Sequence, residues 1–328
     1  MIVAITGGSG FIGRNLYKRL SQDDKLKIKI LDVSSPQFEL RECDTFIQGD
    51  IMDKKSCLAL VKDAGILFHN ASENRDVNVP NFVYFDINEK GTETILEACS
   101  EQGVKKIIFK STTHVYGRNR ANDGTRPKPR SFFGKSKLAA ERAIEKWSQK
   151  EGNKSLILRT PVVIGPGNRA NIFNFIRVID QGRKPFYLTT DRKIRSVTSL
   201  TEFIDIITHS IKTGFSFIEN GNFTCNVVSY PQLTIKQMHN IICEELDLEK
   251  PRYTIPLFPV VVAGYLAEYV SLITRKPTAI NGERVRNLGE LSLFEAEKIK
   301  KIDYVTESSS EQCIRETVRW YLKEKQSL

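Results

Sequence analysis

Short apolar runs alternate with segments of helical spacing through the first half of this sequence, and that alternation narrows the available folds more than any other feature. "MIVAITG", "KIKILD", "DTFIQGD", "GILFHNA", "KKIIFKST" and "KSLILRTP" read as strands, most of them continuous apolar runs suited to a sheet covered on both faces. Between them lie "GFIGRNLYKRLSQ", "KKSCLALVKDA", "EKGTETILEACSEQG" and "GKSKLAAERAIEKWSQKEG", which repeat apolar residues at helical spacing; the glycine in "SEQGVKK" marks a stop. Strand–helix alternation of this length predicts an α/β fold on a doubly wound parallel sheet.

After about Pro166 the rhythm changes. "SVTSLTEFIDIITHSIK" predicts a further helix and "NFTCNVVS" a strand returning to the sheet, while the rest is mainly helical. The expected domains are residues 1–165 with returning segments at about 196–229, and a smaller, mainly helical C-terminal domain from 166–195 and 230–328. "IPLFPVVVAGYLAEYVSLI" (Ile255 to Ile273) is the most apolar segment. Two prolines near its start and Glu268 within it argue against a span, which needs about 20 apolar residues. A buried or partner-facing helix is expected there, with peripheral membrane contact as the alternative.

A net charge of +10 admits nucleic acid, an anionic membrane or an anionic small substrate as partner. "RNRANDGTRPKPR" (Arg118 to Arg130) concentrates basic residues, either as a solvated loop or as an anion-attracting rim. No aromatic-interleaved basic motif accompanies it, so no nucleic-acid partner is expected. The six cysteines stand far apart without a CxxC pair, which predicts neither a metal site nor a disulfide framework. The chain opens on "MIVAITGG" without a charged n-region, and a cytoplasmic location is expected.

"ITGGSGFIG" follows the first strand and opens a helix, with Gly7, Gly10 and Gly13 in a GxxGxxG frame and Phe11 and Ile12 between the last two glycines. That context is what a phosphate-cradling turn requires: glycines permit close backbone approach, and the helix N-terminus faces a pyrophosphate. Asp32 ends the second strand about 20 residues on, where a carboxylate accepts from both ribose hydroxyls and repels a 2′-phosphate. A Rossmann-type unit holding NAD is the expectation.

The GxxGxxG spacing resembles the extended short-chain dehydrogenase/reductase family of NAD-dependent nucleotide-sugar epimerases, dehydratases and reductases. "GDIMD" looks like that family's adenine-side motif, with Asp50 and Ile51 against the base. "HNAS", with Asn70, Ala71 and Ser72, is similar to its "HxAA" strand end beside the cofactor, and "NEKGTETILEA" to its "NxxGTxxLLEA" helix starting at Asn88. "KSTTHVYG" resembles "SSxxVYG", "VVIGPGN" resembles "NVYGPGN", and "FEAEKIKKIDY … ETVRWY" resembles "DxSKAxxxLGY … ETxxWY". The match runs through nearly the whole chain. It implies a further cofactor contact at Pro161, a C-terminal domain that binds a nucleotide-diphosphate sugar, a homodimer, and a place in polysaccharide or sugar-precursor synthesis.

The family's proton-transfer helix carries YxxxK, whose i and i+4 side chains share one face. In "SFFGKSK" the lysine is Lys137, but the phenol position is Phe133, which has no proton to give. Thr112 falls on the family's catalytic Ser/Thr. Removing a general acid–base group typically slows a reaction roughly 10²–10⁴-fold. Three explanations stand: an introduced substitution, a natural replacement with another proton donor, or a member that binds without turnover. His114 and Tyr116 are the nearest candidate donors, on one side with Thr112 if the strand continues.

Thr113 and His114 stand where dehydratases of this family carry Asp and Glu, so dehydration is set aside. C4 epimerisation or 4-keto-sugar reduction remains, on a UDP- or dTDP-hexose, with a non-catalytic binding protein as the alternative. Arg195 matches the family's diphosphate arginine, and a guanidinium fork suits phosphate. Arg169, Asn171 and one of Arg284 or Arg286 add candidate substrate contacts.

Overall fold

The computed structural model describes residues 1–75, 79–219, 221–274, 292–304 and 308–326. Its first strands are β1 (Ile2–Thr6), β2 (Lys27–Asp32), β3 (Thr45–Gln48), β4 (Ile66–His69) and β5 (Lys106–Thr112). A short β6 (Arg120–Ala121) precedes β7 (Lys154–Thr160); β8 (Val162–Ile164), β9 (Tyr187–Leu188), β10 (Val197–Ser199) and β11 (Gly221–Asn226) follow. Seven of these form one sheet in the order β11-β7-β5-β4-β1-β2-β3, every neighbouring pair parallel. Helices α1 (Phe11–Leu20) and α7 (Leu200–Thr213) pack on each other. So do α2 (Lys54–Val61), α4 (Gly91–Glu101) and α5 (Phe132–Ser148), so the sheet is flanked by helices as its apolar strands require.

Local signals set the helix ends. Asp53 caps α2 by accepting from the backbone N–H groups of Lys55 and Ser56, and Ser131 caps α5 by accepting from Gly134 N. Past α4, Gly103 adopts φ +72°, the left-handed stop that its glycine foretells. Beneath these helices Leu31, Cys57, Ile95, Ile107, Ile144 and Ile157 belong to one apolar core.

Two compact units divide the chain. The first comprises Met1–Pro161, Leu200–Val228 and Phe294–Glu307; the second comprises Val162–Ser199, Ser229–Leu293 and Ser308–Leu328. The return of Phe294–Glu307 to the first unit departs from the sequence expectation and has a specific cause. The Asp123 carboxylate, in the basic loop, accepts from the backbone N–H groups of Asn226, Glu297 and Lys298 at 2.6, 2.7 and 2.8 Å. In the second unit β8 pairs with β10 and β9 with β12 (Thr254–Ile255). Its apolar core joins residues of α6 (Asn171–Asp180), α8 (Ile235–Glu245) and the final helix Ser310–Gln326.

Several elements differ from the sequence reading. The first residues of "SVTSLTEF", read as helix, form the extended β10, because Val197 and Thr198 pair with β8 and are buried. β5 does not continue through His114 and Tyr116: it stops at Thr112, whose hydroxyl accepts from His114 N as the chain turns into a 3₁₀ segment, Thr113–Tyr116. Between β4 and α4 the short α3 (Asn81–Phe85) runs into a π-helical turn, Asp86–Lys90, that the spacing did not reveal. The apolar segment forms α9 (Leu257–Thr274), but several of its large side chains face solvent rather than a core.

Behind the sheet's C-terminal edge, Arg159 on β7 forms two hydrogen bonds to the fully buried Glu141 on α5, at 3.0 and 2.6 Å. Ser111 donates to the same carboxylate at 2.5 Å. Replacing Glu141 with Ala leaves a buried guanidinium uncompensated, so Glu141→Ala is expected to lose about 3–5 kcal/mol of stability in urea unfolding. Pairing it with Arg159→Met should recover part of that loss; a single variant within about 1 kcal/mol of the parent would contradict this.

Candidate active site

The turn after β1 is built by contacts that no side chain would tolerate. Gly7 has φ +67°, and a Cβ there would lie 2.8 Å from Ala71 N. A Cβ at Gly13 would stand 2.3 Å from Gly7 O and 2.5 Å from Gly8 Cα. Gly8, which the motif frame did not single out, is equally constrained: its Cβ would meet Ile30 Cγ2 at 2.3 Å. Gly10 is the N-cap of α1 and offers no side-chain cap, and no acidic residue stands in the first turn. The helix therefore presents unsatisfied N–H groups and the positive end of its dipole, an anion site by construction.

Asp32, at the end of β2, accepts from Ser9 N and from Ser34 N, both at 3.0 Å, which fixes its carboxylate beside the glycine turn. A cleft of about 590 Å³ opens there, lined by Ser9, Gly10, Arg14, Asp32, Ser34 and Phe38 among others. Asp50 is exposed and accepts from Met52 N at 2.9 Å. The Ile51 side chain packs into the apolar core and lies close to Gly91. Phe11 opens α1, and Ile12 is buried beneath it.

A chain of buried hydrogen bonds ties this turn to the helix carrying Phe133 and Lys137. The Thr6 hydroxyl accepts from the backbone N–H groups of Asn70 and Ala71, both at 3.1 Å, and contacts His69 Nδ1 at 2.7 Å. His69 Nε2 meets the Thr92 hydroxyl at 2.9 Å, and Thr92 donates to Asn88 O at 2.6 Å. These partners assign the imidazole proton to Nε2, since Thr92 spends its own proton on Asn88. In the π-helical turn, the Asn88 amide accepts from Glu73 N and donates to Glu73 O and to Ser136 Oγ. Ser136 in turn donates to Phe133 O at 2.9 Å. Asn88 thus has its amide hydrogen-bonded to Glu73 and Ser136 within the protein. Asn70 donates to Gly7 O at 3.1 Å, and Ser72 is partly buried at the same strand end.

Lys137 is 1% exposed, with its ammonium 3.9 Å above the Phe109 ring. Among the described residues it forms no hydrogen bond or ion pair. Burial, reinforced by the Lys110 ammonium, holds it well below the ordinary lysine range. Lys110 was missed by the sequence reading, which treated it as part of an apolar strand. It shares a β5 face with Thr112, and burial pushes its ammonium down to about 8. A buried cation without an acceptor is costly unless a ligand supplies one.

Around Lys137 the expected donors separate. The Phe133 ring is partly buried, flanked by Tyr84 at 6.3 Å and by His114, edge-on, at 5.7 Å between centroids. His114 is exposed, whereas Tyr116 is fully buried, its hydroxyl donating to Asn226 Oδ1 at 2.7 Å and accepting from Arg159 at 3.2 Å. The 3₁₀ turn has split the side of the strand they were expected to share, and Tyr116 belongs to the packing. Pro161 follows β7 at the end of the first segment of this unit.

Within the second unit, Arg169 is exposed and ion-paired with Glu324, Asn171 opens α6, and Arg195 lies before β10 with its N–H donated to Leu233 O at 2.9 Å. Arg284 and Arg286 lie outside the described residues.

A glycine cradle under an uncapped helix, with a carboxylate closing the second strand, defines a Rossmann-type dinucleotide-binding unit. The NAD dependent epimerase/dehydratase family model matches residues 3–223, and the chain belongs to that family. It is 28% identical over 324 residues, 97% of this chain and 94% of the other, to the N-acetyl-alpha-D-glucosaminyl-diphospho-ditrans,octacis-undecaprenol 4-epimerase of Escherichia coli O157:H7. Its fold matches the UDP-glucose 4-epimerase of Thermotoga maritima with UDP-glucose at a TM-score of 0.77 and 20% identity, covering 99% of this chain and 100% of that one. It also matches the UDP-glucuronic acid 4-epimerase of Bacillus cereus in complex with NAD, at 0.77 and 18%, covering 98% and 97%.

The hydrogen-bond chain makes a pH prediction. Burial, aided by Lys137, drives the His69 imidazole down to about 3, against about 6.5 for an unfolded histidine. Between those values the unfolded chain binds more protons, so this contribution to stability is complete above about pH 6.5 and is lost as pH falls toward 3. The Tm deficit of His69→Asn should therefore shrink as pH is lowered from about 7 to about 5. A deficit independent of pH would contradict it.

Proposed function

We propose that the chain is an NAD-dependent C4 epimerase of a hexose carried on a diphosphate. When bound, NAD supplies the acceptor and donor of hydride at the sugar's C4. Gly7, Gly8 and Gly13 with the N-terminus of α1 would hold its diphosphate, Asp32 the adenosine ribose hydroxyls, and Lys137 the nicotinamide ribose hydroxyls. The observation that carries the reading is Lys137 itself: a buried ammonium with no acceptor, fixed by the Asn88–Ser136 hydrogen bond on its own helix and placed one turn after Phe133.

Phe133 cannot move the proton of the 4-hydroxyl, and Tyr116 is committed to Arg159 and Asn226. His114, whose ring rests against Phe133, is the residue proposed to take and return that proton. Thr112 accepts from His114 N and keeps its own hydroxyl proton to donate to the same sugar oxygen. Thr113 is buried and His114 is an imidazole, so no carboxylate pair is available at these positions for eliminating water. Asp32 favours NAD, which an epimerase retains through the cycle, over the exchanged cofactor of a reductase. Arg195 is the proposed diphosphate contact, and Arg169, ion-paired with Glu324, a candidate second one.

Two carriers share the diphosphate chemistry, a nucleotide and a polyprenyl lipid. UDP-linked and polyprenyl-diphosphate-linked N-acetylglucosamine, offered in parallel with NAD, distinguish them by the arm in which C4-epimerised product forms. In the active arm His114→Ala is expected to lower kcat roughly 10²-fold or more, and Phe133→Tyr to restore turnover in that background. Full activity in His114→Ala would refute the imidazole's role. An absence of product in both arms, even with Phe133→Tyr, would refute the epimerase reading.

A further inference from the structure

The basic loop between the 3₁₀ turn and α5 is fixed in place, and its positive charge is left unneutralised. Arg118, Arg120, Arg126, Lys128 and Arg130 are all exposed. Among the described residues none of the five forms an ion pair or a side-chain hydrogen bond. The single acid of the loop, Asp123, is spent on the backbone N–H groups of Asn226, Glu297 and Lys298. The segment that Asp123 holds brings Lys298, Lys300 and Lys301 against Glu295 and Glu297, so it does not cancel the charge. The backbone under these cations is ordered by its own bonds. Glu295 N donates to Ala121 O at 3.0 Å, and Asn122 Oδ1 accepts from Gly124 N and from the Thr125 hydroxyl, both at 3.0 Å. Both ends of the loop close on the reaction centre. Gly117, with φ +59°, follows the turn that carries His114, and a Cβ there would lie 2.0 Å from Lys128 O. Gly134 follows Phe133, and its Cβ would stand 2.6 Å from His114 O and 3.1 Å from Pro129 Cβ.

We infer that the 118–130 loop is an electrostatic rim that captures the diphosphate-bearing ligand and steers it to the centre at His114 and Phe133. The inference rests on the diphosphate substrate proposed above. Exposed charges hold a ligand weakly, since two unit charges 4 Å apart in water attract by about 1 kcal/mol. Their field reaches beyond contact, roughly 10 Å at 0.1 M salt, and like charges on one fixed loop add. Such a rim changes how fast an anion arrives more than how long it stays. The composition of the loop selects a small anion over a polyanionic macromolecule or a lipid surface. Between Arg118 and Arg130 there is no aromatic side chain on which a base could stack, and no large aliphatic one that could enter a bilayer. The contact pinned across His114 and Phe133 also places the field where the reacting sugar's diphosphate must enter, rather than on a remote face.

The test reads association without turnover. Protein loaded with NAD is mixed in a stopped flow with mant-labelled UDP and with mant-labelled geranyl diphosphate, one probe for each carrier. At least one should associate at a rate that falls as salt is raised. Arg120→Gln, Arg126→Gln and Lys128→Gln combined should slow that association about tenfold at low salt, with dissociation and melting temperature unchanged and the difference lost at high salt. Lys146, Lys150 and Lys212 are exposed cations at or just past the C-terminal ends of α5 and α7. Replacing these three by Gln removes the same charge elsewhere and should change the rate by less than about twofold. An unchanged rate in the loop variant, an equal loss in both variants, or no association of either probe with the parent protein would overturn the proposal. Failure of the epimerase reading shows separately, as missing product while association still depends on the loop.

Discussion

The buried hydrogen-bond chain from Thr6 through His69, Thr92 and Asn88 to Ser136 is the interaction on which the active-site geometry depends. It begins at the strand that ends in the glycine turn and finishes on the helix that carries Lys137. Each member satisfies another that would otherwise be an unpaired polar group in a dry interior. Burial keeps His69 neutral, and the neutral ring serves both threonines at once, accepting from Thr6 and donating to Thr92. The π-helical turn is explained by the same chain. An extra residue in the helix places the Asn88 amide between Glu73 and Ser136.

The sheet was legible in the sequence because buried parallel strands write themselves as apolar runs, and β2 has the same bounds in both readings. The glycine turn and Asp32 were legible for a related reason: close backbone approach and φ +67° at Gly7 leave no other residue type. What stayed hidden was set by tertiary pairing. Nothing local in "SVTS" separates the β10 strand from a helix start; its partner β8 decides. Alternation put His114 and Tyr116 together, but Thr112 capping His114 N ended the strand and sent them to solvent and core respectively. Nor did the Asn88 motif reveal that its amide is hydrogen-bonded to Glu73 and Ser136. Lys110 had no signal beyond being a charged residue inside a strand.

Phe133 defines the chemical problem of this site. The scaffold that would lower a phenol's pKa is intact, with a lysine one turn away, but the ring it serves has no hydroxyl. The same ring packs against the exposed imidazole of His114, so the position of the missing hydroxyl and that side chain are in contact.

All of this presupposes a dinucleotide with an unphosphorylated adenosine ribose lying against Asp32 and the N-terminus of α1. Calorimetric titration of the protein, stripped of bound nucleotide, with NAD and with NADP measures that directly. NAD should bind at least about tenfold more tightly than NADP, and Asp32→Asn should narrow the gap. Equal affinities, a preference for NADP, or no heat with either would contradict it.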